Sequence, residues 1–108
     1  MMMFNVEITD DALQDLSDLY DYIAVNLQSP MNAERQLKRL MAEIMSLDVF
    51  PERHGIVDIE PLKEKCLHFM PVDNYIVFYI LREQRVIATN VLYSASNLIT
   101  RLSKSQPH

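Results

Sequence analysis

The segment Tyr75–Leu81 constrains the fold more than any other part of the chain, because every one of its residues is aliphatic or aromatic. Aromatic and β-branched residues without alternating polar positions favour a strand with apolar side chains on both faces. Two further strand candidates flank it, Leu67–Met70 before it and Val86–Tyr93 after it. Turn-forming and polar residues separate the three segments at Pro71–Asn74 and Arg82–Arg85. The sequence therefore predicts an antiparallel meander of three strands.

Two amphipathic helices are predicted before this meander. In Ala12–Leu27, apolar residues recur at spacings of three and four, and Thr9 and Asp10 precede them as helix caps. The second helix is predicted to begin at Ser29-Pro30, with serine as the cap and proline at the first helical position, and to end at Pro51. Because the connection between the helices is short, we expect them to be antiparallel neighbours.

A first strand and a last helix complete the predicted fold. Phe4–Ile8 alternates apolar and polar residues, which is typical of a half-buried strand and fits an edge position. A short C-terminal helix is predicted over roughly Asn97–Lys104. We predict a single α+β domain spanning residues 1–108, with the order β-α-α-β-β-β and the helical hairpin packed on one face of an antiparallel sheet. Residues 51–65 carry two prolines and a glycine among charged residues, and are predicted to form a long loop.

Composition argues against several classes of function. A chain with one glycine, Gly55, cannot build a glycine-rich phosphate-binding loop. The single cysteine, Cys66, cannot form an internal disulfide, and the histidines lack zinc-site spacing, so neither a metal nor a cofactor is expected. No apolar stretch approaches about 18 residues and the N-terminus lacks a signal-peptide pattern, so we expect a cytoplasmic protein without a membrane partner.

Charge is distributed unevenly along the chain. The formal net charge is −5, and residues 1–30 hold six of the fifteen acidic residues but neither Lys nor Arg. Because nucleic-acid binding usually needs clustered Lys and Arg, the chain as a whole argues mildly against it. The acidic first helix is interpreted either as a solvated face or as a docking surface for a basic partner.

Four parts of the sequence share their pattern and order with one protein family. They are the first helix, the second helix with its closing turn, the central strand and the segment after the last strand: Ala12–Leu16 with Leu19–Ile23, Ala33–Leu47 with Phe50–Glu52, Pro71–Tyr79, and Val91–Leu98. Together they resemble the RelE/ParE family of toxins from bacterial type II toxin–antitoxin systems, also known as plasmid stabilisation proteins. The resemblance covers most of the chain.

The resemblance implies a growth-inhibiting protein that a cognate antitoxin neutralises. One branch of the family cleaves mRNA on the ribosome and another inhibits DNA gyrase, and the shared fold alone does not choose between them. The implied partners are therefore the antitoxin and either DNA gyrase or ribosome-bound mRNA. A homodimer or a heterotetramer with the antitoxin is compatible with this resemblance.

The last motif departs from the family pattern where RNA cleavage would need charge. The family has Val-Leu-His-Gly-Arg-Arg-Asp-Ile, whereas this chain has Tyr93 for the histidine, Ala95 and Ser96 for the arginines, and Asn97 for the aspartate. Alanine and serine cannot neutralise a phosphate. We therefore predict the gyrase-directed mode rather than RNA cleavage. The alternatives are a ribosome-dependent endoribonuclease and an inactive homologue that serves as an interaction module.

If the chain is an endoribonuclease, the residues predicted to carry catalysis are His68, Lys65 and Tyr93. Histidine titrates near neutral pH and could act as a general base, and a tyrosine could act as an acid or stack on a base. The competing interpretation makes Tyr93 a packed aromatic at the end of the sheet and His68 a strand-edge or surface residue.

The remaining cations and the cysteine have simpler interpretations. Lys63, Lys65, Arg53 and His54 could face a phosphate together, but they are also typical of a solvated loop. Arg82 and Arg85 are interpreted as residues that flank a hairpin turn, and Arg101 and Lys104 as cations of a helix C-terminus or partners of an acidic surface. Cys66 is interpreted as a small buried hydrophobe, and the methionines as core residues or part of an adaptable surface.

Overall fold

The computed structural model describes residues 3–96 and 98–104, and its elements follow the predicted order with a short helix at the end. Asn97, where the last helix was predicted to begin, lies outside the described residues. The seven main elements are β1 Asn5–Ile8, α1 Asp10–Asp21, α2 Pro30–Met45, β2 His68–Val72, β3 Tyr75–Arg82, β4 Arg85–Tyr93 and α3 Leu98–Lys104.

The four strands form one sheet in the order β1-β4-β3-β2. The pairs β2/β3 and β3/β4 are antiparallel, which confirms the predicted meander. β1 lies at the edge as expected, but it pairs parallel to β4, with Val6 opposite Val86. The sheet is therefore mixed rather than wholly antiparallel. A short alternating strand reveals which face is buried, but it does not encode the direction of its neighbour.

One extra residue in β4 interrupts its register with β3. Phe78 lies opposite Asn90 and Tyr79 opposite Ala88, so Thr89 has no partner of its own. The Thr89 hydroxyl donates to the Phe78 carbonyl at 3.3 Å, and the Thr9 hydroxyl donates to the Thr89 carbonyl at 3.2 Å. These bonds hold a β-bulge beside the place where β1 ends and α1 begins.

The sheet is covered on both faces, which explains why β3 is apolar on both sides. On one face, α1 and α2 bury Leu16, Leu40 and Ile44 against strand residues that include Tyr79. The other face is covered by residues 57–67 and α3, through a second cluster: Val57, Leu62, Leu67, Phe78, Ile80, Ile87, Leu92 and Leu102. The segment predicted to be a long solvated loop thus contributes to a second core.

The observed ends of the helices agree only in part with those predicted from the sequence. Thr9 caps α1 as predicted, since its hydroxyl oxygen accepts from Ala12 N at 3.1 Å. α1 continues into a π-helical turn over Tyr22–Asn26. Ser29 makes no side-chain capping bond to α2, although Pro30 occupies the first helical position. α2 ends at Met45, several residues before the predicted stop at Pro51.

The outer edge of β2 is closed by the chain itself. Ile56 forms a bridge with His68, and Phe69 N donates to the Gly55 carbonyl at 3.0 Å. Further along the same edge, Pro71 has no N–H to offer. This edge of the sheet is therefore a poor template for an added strand.

Candidate functional site

His68 begins β2 and is only 8% exposed. Its Nδ1 lies 2.9 Å from the His54 carbonyl oxygen, and its ring stacks on Tyr79 with a centroid distance of 5.1 Å. Burial raises the pKa of Tyr79 to about 12, and the Tyr79 hydroxyl donates to the Pro51 carbonyl. His68 is thus a buried packing residue on the edge strand β2, which corrects the interpretation of it as a surface histidine.

Lys65 and Tyr93, the other two predicted catalytic residues, lie elsewhere. The Lys65 ammonium donates to the Leu102 carbonyl at 2.9 Å, so it joins the loop to α3 on the face opposite the helical hairpin. Tyr93 is 50% exposed at the end of β4, opposite Tyr75. His68 is instead opposite Tyr79, four residues further along β3, or about 13 Å. The three residues do not meet in one site, and their catalytic roles stay a prediction.

The cations of the loop make separate local contacts. The Arg53 guanidinium donates to the Val49 and Phe50 carbonyls at 2.6 and 3.0 Å, and Lys63 lies 3.7 Å from an oxygen of Asp58. His54 Nε2 is buried without a hydrogen-bond partner, and burial, followed by the charge of Arg53, lowers the pKa of His54. These contacts favour the interpretation of a structural loop over that of a phosphate-facing group.

Two further interpretations need correction. Cys66 is exposed rather than buried, because it occupies a left-handed turn, φ 54°, directly before β2. Arg85 does more than flank the hairpin turn, since its guanidinium donates to both oxygens of Glu7 at 2.6 and 3.0 Å and so joins β4 to β1. Among the methionines, Met70 is buried, whereas Met31 and Met45 are exposed on α2.

Asp15 belongs to the acidic first helix, which was interpreted as a solvated face or a docking surface, but it contacts the sheet. Its carboxylate accepts from Val91 N at 2.9 Å and lies 4.0 Å from the Arg101 guanidinium of α3. Burial is the largest influence on this carboxyl and raises its pKa. The sequence held a signal for this position, since Asp15 lies three residues after buried Ala12 and four before buried Leu19.

Two tyrosines of neighbouring strands pack together at the end of the sheet where β4 stops, and a third lies at the end of α1. The rings of Tyr75 and Tyr93 meet edge to face, with centroids 5.9 Å apart and planes at 66°. Tyr22, at the end of α1, is 53% exposed. Burial raises the pKa of Tyr75, and the neighbouring Tyr93 and Tyr22 hydroxyls raise it further. We call Tyr22, Tyr75 and Tyr93 the tyrosine cluster. Only Tyr93 was predicted from sequence, because the other two belong to distant segments.

The outward face of α2 carries opposite charge to that of α1. A shallow groove there is lined by six residues, three of them cationic: Met31, Glu34, Arg35, Lys38, Arg39 and Ala42. Lys38 pairs with Glu34 at 3.0 Å, and Arg39 pairs with Asp73 at 2.8 Å. The helical hairpin therefore presents an acidic helix beside a basic one.

The described part of the chain offers neither a metal site nor a membrane span. Within residues 3–96 and 98–104, His, Cys, Asp and Glu side chains form no group of three or more that could hold a metal ion. None of the helices in those ranges combines the length and the apolar character that crossing a bilayer requires.

Known proteins share this fold and sequence pattern. No curated protein sequence matches the chain. A solved structure described as the chromosomal ParDE TA system from P. aeruginosa matches with a TM-score of 0.70, covering 84% of this chain and 96% of that one at 13% identity. The model of the family described as the ParE toxin of the type II toxin–antitoxin system, parDE, matches residues 6–98. The chain therefore belongs to the ParE toxin family of type II toxin–antitoxin systems, as the sequence motifs predicted.

Proposed function

We propose that this toxin acts in the cytoplasm on a protein target, DNA gyrase, and that a cognate antitoxin neutralises it. The observation that carries the proposal is the family match over residues 6–98, taken with the absence of cations from Ser94–Ser96. A protein-targeting toxin needs a binding surface but no set of catalytic groups. The separated positions of His68, Lys65 and Tyr93 fit that requirement.

RNA cleavage makes stricter demands than this geometry meets. The 2′-hydroxyl must be activated, the charge on phosphorus stabilised and the leaving oxygen protonated by groups that contact the same phosphate. The His68 ring is buried under Tyr79, so a 2′-hydroxyl could reach it only after local rearrangement. The end of β4 supplies Tyr93 with serine and alanine after it, and these cannot balance a phosphate charge.

The experiment is inducible expression of the full chain with and without its antitoxin, with three measurements on the same cultures. Growth should stop without the antitoxin and recover with it. Plasmid supercoiling should change early, while mapping of mRNA ends should show no new cleavage on translating ribosomes. Tyr93→Phe is the matched control, because it removes only the hydroxyl and should leave growth arrest intact.

Two outcomes would contradict the proposal in different ways. Robust codon-dependent mRNA cleavage that disappears in Tyr93→Phe would assign the endoribonuclease function. Normal growth on expression without the antitoxin would instead favour the inactive homologue that serves as an interaction module.

A further inference from the structure

We propose that the tyrosine cluster, together with Asp18 on α1, binds an arginine or lysine side chain of a partner protein. The occupant we assign is a basic segment of the antitoxin, and this identity rests on the proposed function. Three features of the chain support the site itself: the arrangement of the rings, the acidic flank of α1 that leads to them, and the position of Arg101.

The rings are arranged so that their faces can meet a cation. Tyr93 contacts Tyr75 edge to face, and half of its surface stays exposed. Tyr22, at the end of α1, is exposed to a similar extent. A guanidinium or ammonium over the face of a tyrosine is attracted by the negative π surface, and several rings around one cation strengthen the attraction. The cluster thus has an aromatic surface that the core does not use.

The flank of α1 that leads to the cluster is acidic. Asp11, Asp15, Asp18 and Tyr22 follow one another at spacings of four, three and four residues, so they lie along one side of the helix. The bond from Val91 N to Asp15 fixes that side toward the last part of β4. No Lys or Arg precedes Arg35 in the sequence. The local potential therefore favours cations at the tyrosine cluster.

The chain already places one of its own arginines on this flank. Arg101 reaches from α3 to within 4.0 Å of Asp15. Asp18 lies almost one helical turn nearer to Tyr22, and Gln14 Nε2 donates to only one of its oxygens, at 2.9 Å. A carboxylate can accept several hydrogen bonds, so Asp18 retains capacity for an incoming guanidinium. A partner cation at Asp18 would thus bind the same acidic side of α1 that Arg101 already contacts at Asp15.

The same charges argue against a nucleic acid as the occupant. Tyrosines can stack on bases, but stacking would carry the adjoining phosphates toward Asp18 and Asp15. No compensating cation other than Arg101 lies on this flank among the described contacts. Both a basic peptide and an RNA strand can contact the tyrosine rings, but the acidic side chains attract the peptide and repel the RNA phosphates.

The test is a titration of the purified full chain, with the NMR signals of the tyrosine rings as the readout. The probe is a short capped glycine–arginine peptide, and the matched control peptide carries citrulline, which keeps the shape but not the charge. We expect the arginine peptide to shift the ring signals of Tyr22, Tyr75 and Tyr93, and the shift to weaken with added salt. Tyr93→Leu and Asp18→Asn should each weaken binding about tenfold. Tyr93→Phe, which keeps the ring, should bind like the natural chain.

Phe69→Leu is the matched control variant, because it removes an exposed strand aromatic outside the cluster. It should leave the titration unchanged. Equal binding of the arginine and citrulline peptides would overturn the proposal, as would tighter binding of uridine 3′-monophosphate than of the arginine peptide. Because Tyr93 and Asp18 are exposed, we expect their variants to fold normally. Urea unfolding of each variant verifies that the fold is intact.

The antitoxin provides a second readout that separates this proposal from the proposed function. Its affinity should fall for Tyr93→Leu and Asp18→Asn but not for Tyr93→Phe or Phe69→Leu. If a neutralising antitoxin binds all four variants equally, the cation site is wrong while the toxin function stands. If the chain fails to arrest growth, the toxin function is wrong, and the peptide titration alone decides the cation site.

Discussion

Replacing Asp15 by alanine should destabilise the fold, because it removes the acceptor of a main-chain N–H in β4. The Asp15 carboxylate accepts from Val91 N at 2.9 Å, and its side chain is only 13% exposed. A hydrogen bond to a charged group contributes about 1.5–3 kcal/mol, and an unpaired buried N–H costs about 1–3 kcal/mol. Since the Asp15 side chain keeps some exposure, so that water can replace part of the contact, we expect a loss of about 2 kcal/mol in the free energy of unfolding.

Urea unfolding followed by far-ultraviolet circular dichroism measures this loss. The matched control is Asp15→Asn, which keeps an acceptor oxygen for Val91 N and should lose less than about 1 kcal/mol. The dependence of the free energy on urea should be equal in all three proteins, because the area exposed on unfolding hardly changes.

The pH dependence of the free energy of unfolding tests whether burial is the largest influence on the pKa of Asp15. Burial raises the pKa of Asp15 in the folded state above its ordinary value. Between the unfolded and folded pKa values, the folded protein therefore binds more protons than the unfolded chain, and stability falls as pH rises. The stability of the natural protein relative to Asp15→Asn should thus decline from about pH 4 upward until the folded pKa is passed.

Two results would refute this reasoning. If Asp15→Ala and Asp15→Asn unfold at the same urea concentration, the bond to Val91 N contributes nothing. If the natural protein instead gains stability over Asp15→Asn as pH rises, the hydrogen bond and Arg101 outweigh burial at this carboxyl.

Three further substitutions can be measured in the same urea assay. Tyr79→Phe should lose about 1–2 kcal/mol, because the Pro51 carbonyl loses its buried donor; an unchanged midpoint would show that water replaces the hydroxyl. Leu102→Ala should lose about 2–4 kcal/mol, since this side chain is buried in the second core; a loss below about 0.5 kcal/mol would mean that α3 does not contribute to the cooperative fold. Glu7→Gln should leave the midpoint unchanged, because the pair with Arg85 is about half exposed; a clear shift would assign the pair a structural role.

The fold was largely predictable because its strongest signals are local. The apolar run of β3, the two helical stripes and the proline at the start of α2 can each be read within one segment. The parallel pairing of β1 with β4 could not, because four alternating residues do not encode a direction.

The site was less predictable because it depends on contacts between distant segments. His68 looks like a polar residue at a strand end, and only its register with Tyr79 places it in the core. Cys66 looks like a small hydrophobe, but the left-handed turn before β2 exposes it. Tyr75 is an ordinary strand residue in sequence, and it meets Tyr93 only through the register of β3 with β4. Tyr22 lies on the acidic side of the first helix, and the bond from Val91 N to Asp15 turns that side toward β4.

β4 lies inside the sheet, yet it comes last of the four strands along the chain. Both β1 and β3 depend on it, since β4 is the neighbour of β1 in the described sheet and β3 would otherwise keep an open edge. A nascent or truncated chain that ends before Arg85 therefore cannot assemble the sheet. Non-local pairing of this kind delays folding until the distant segments are available. For a member of a toxin family, this ordering means that incomplete translation products lack the folded sheet.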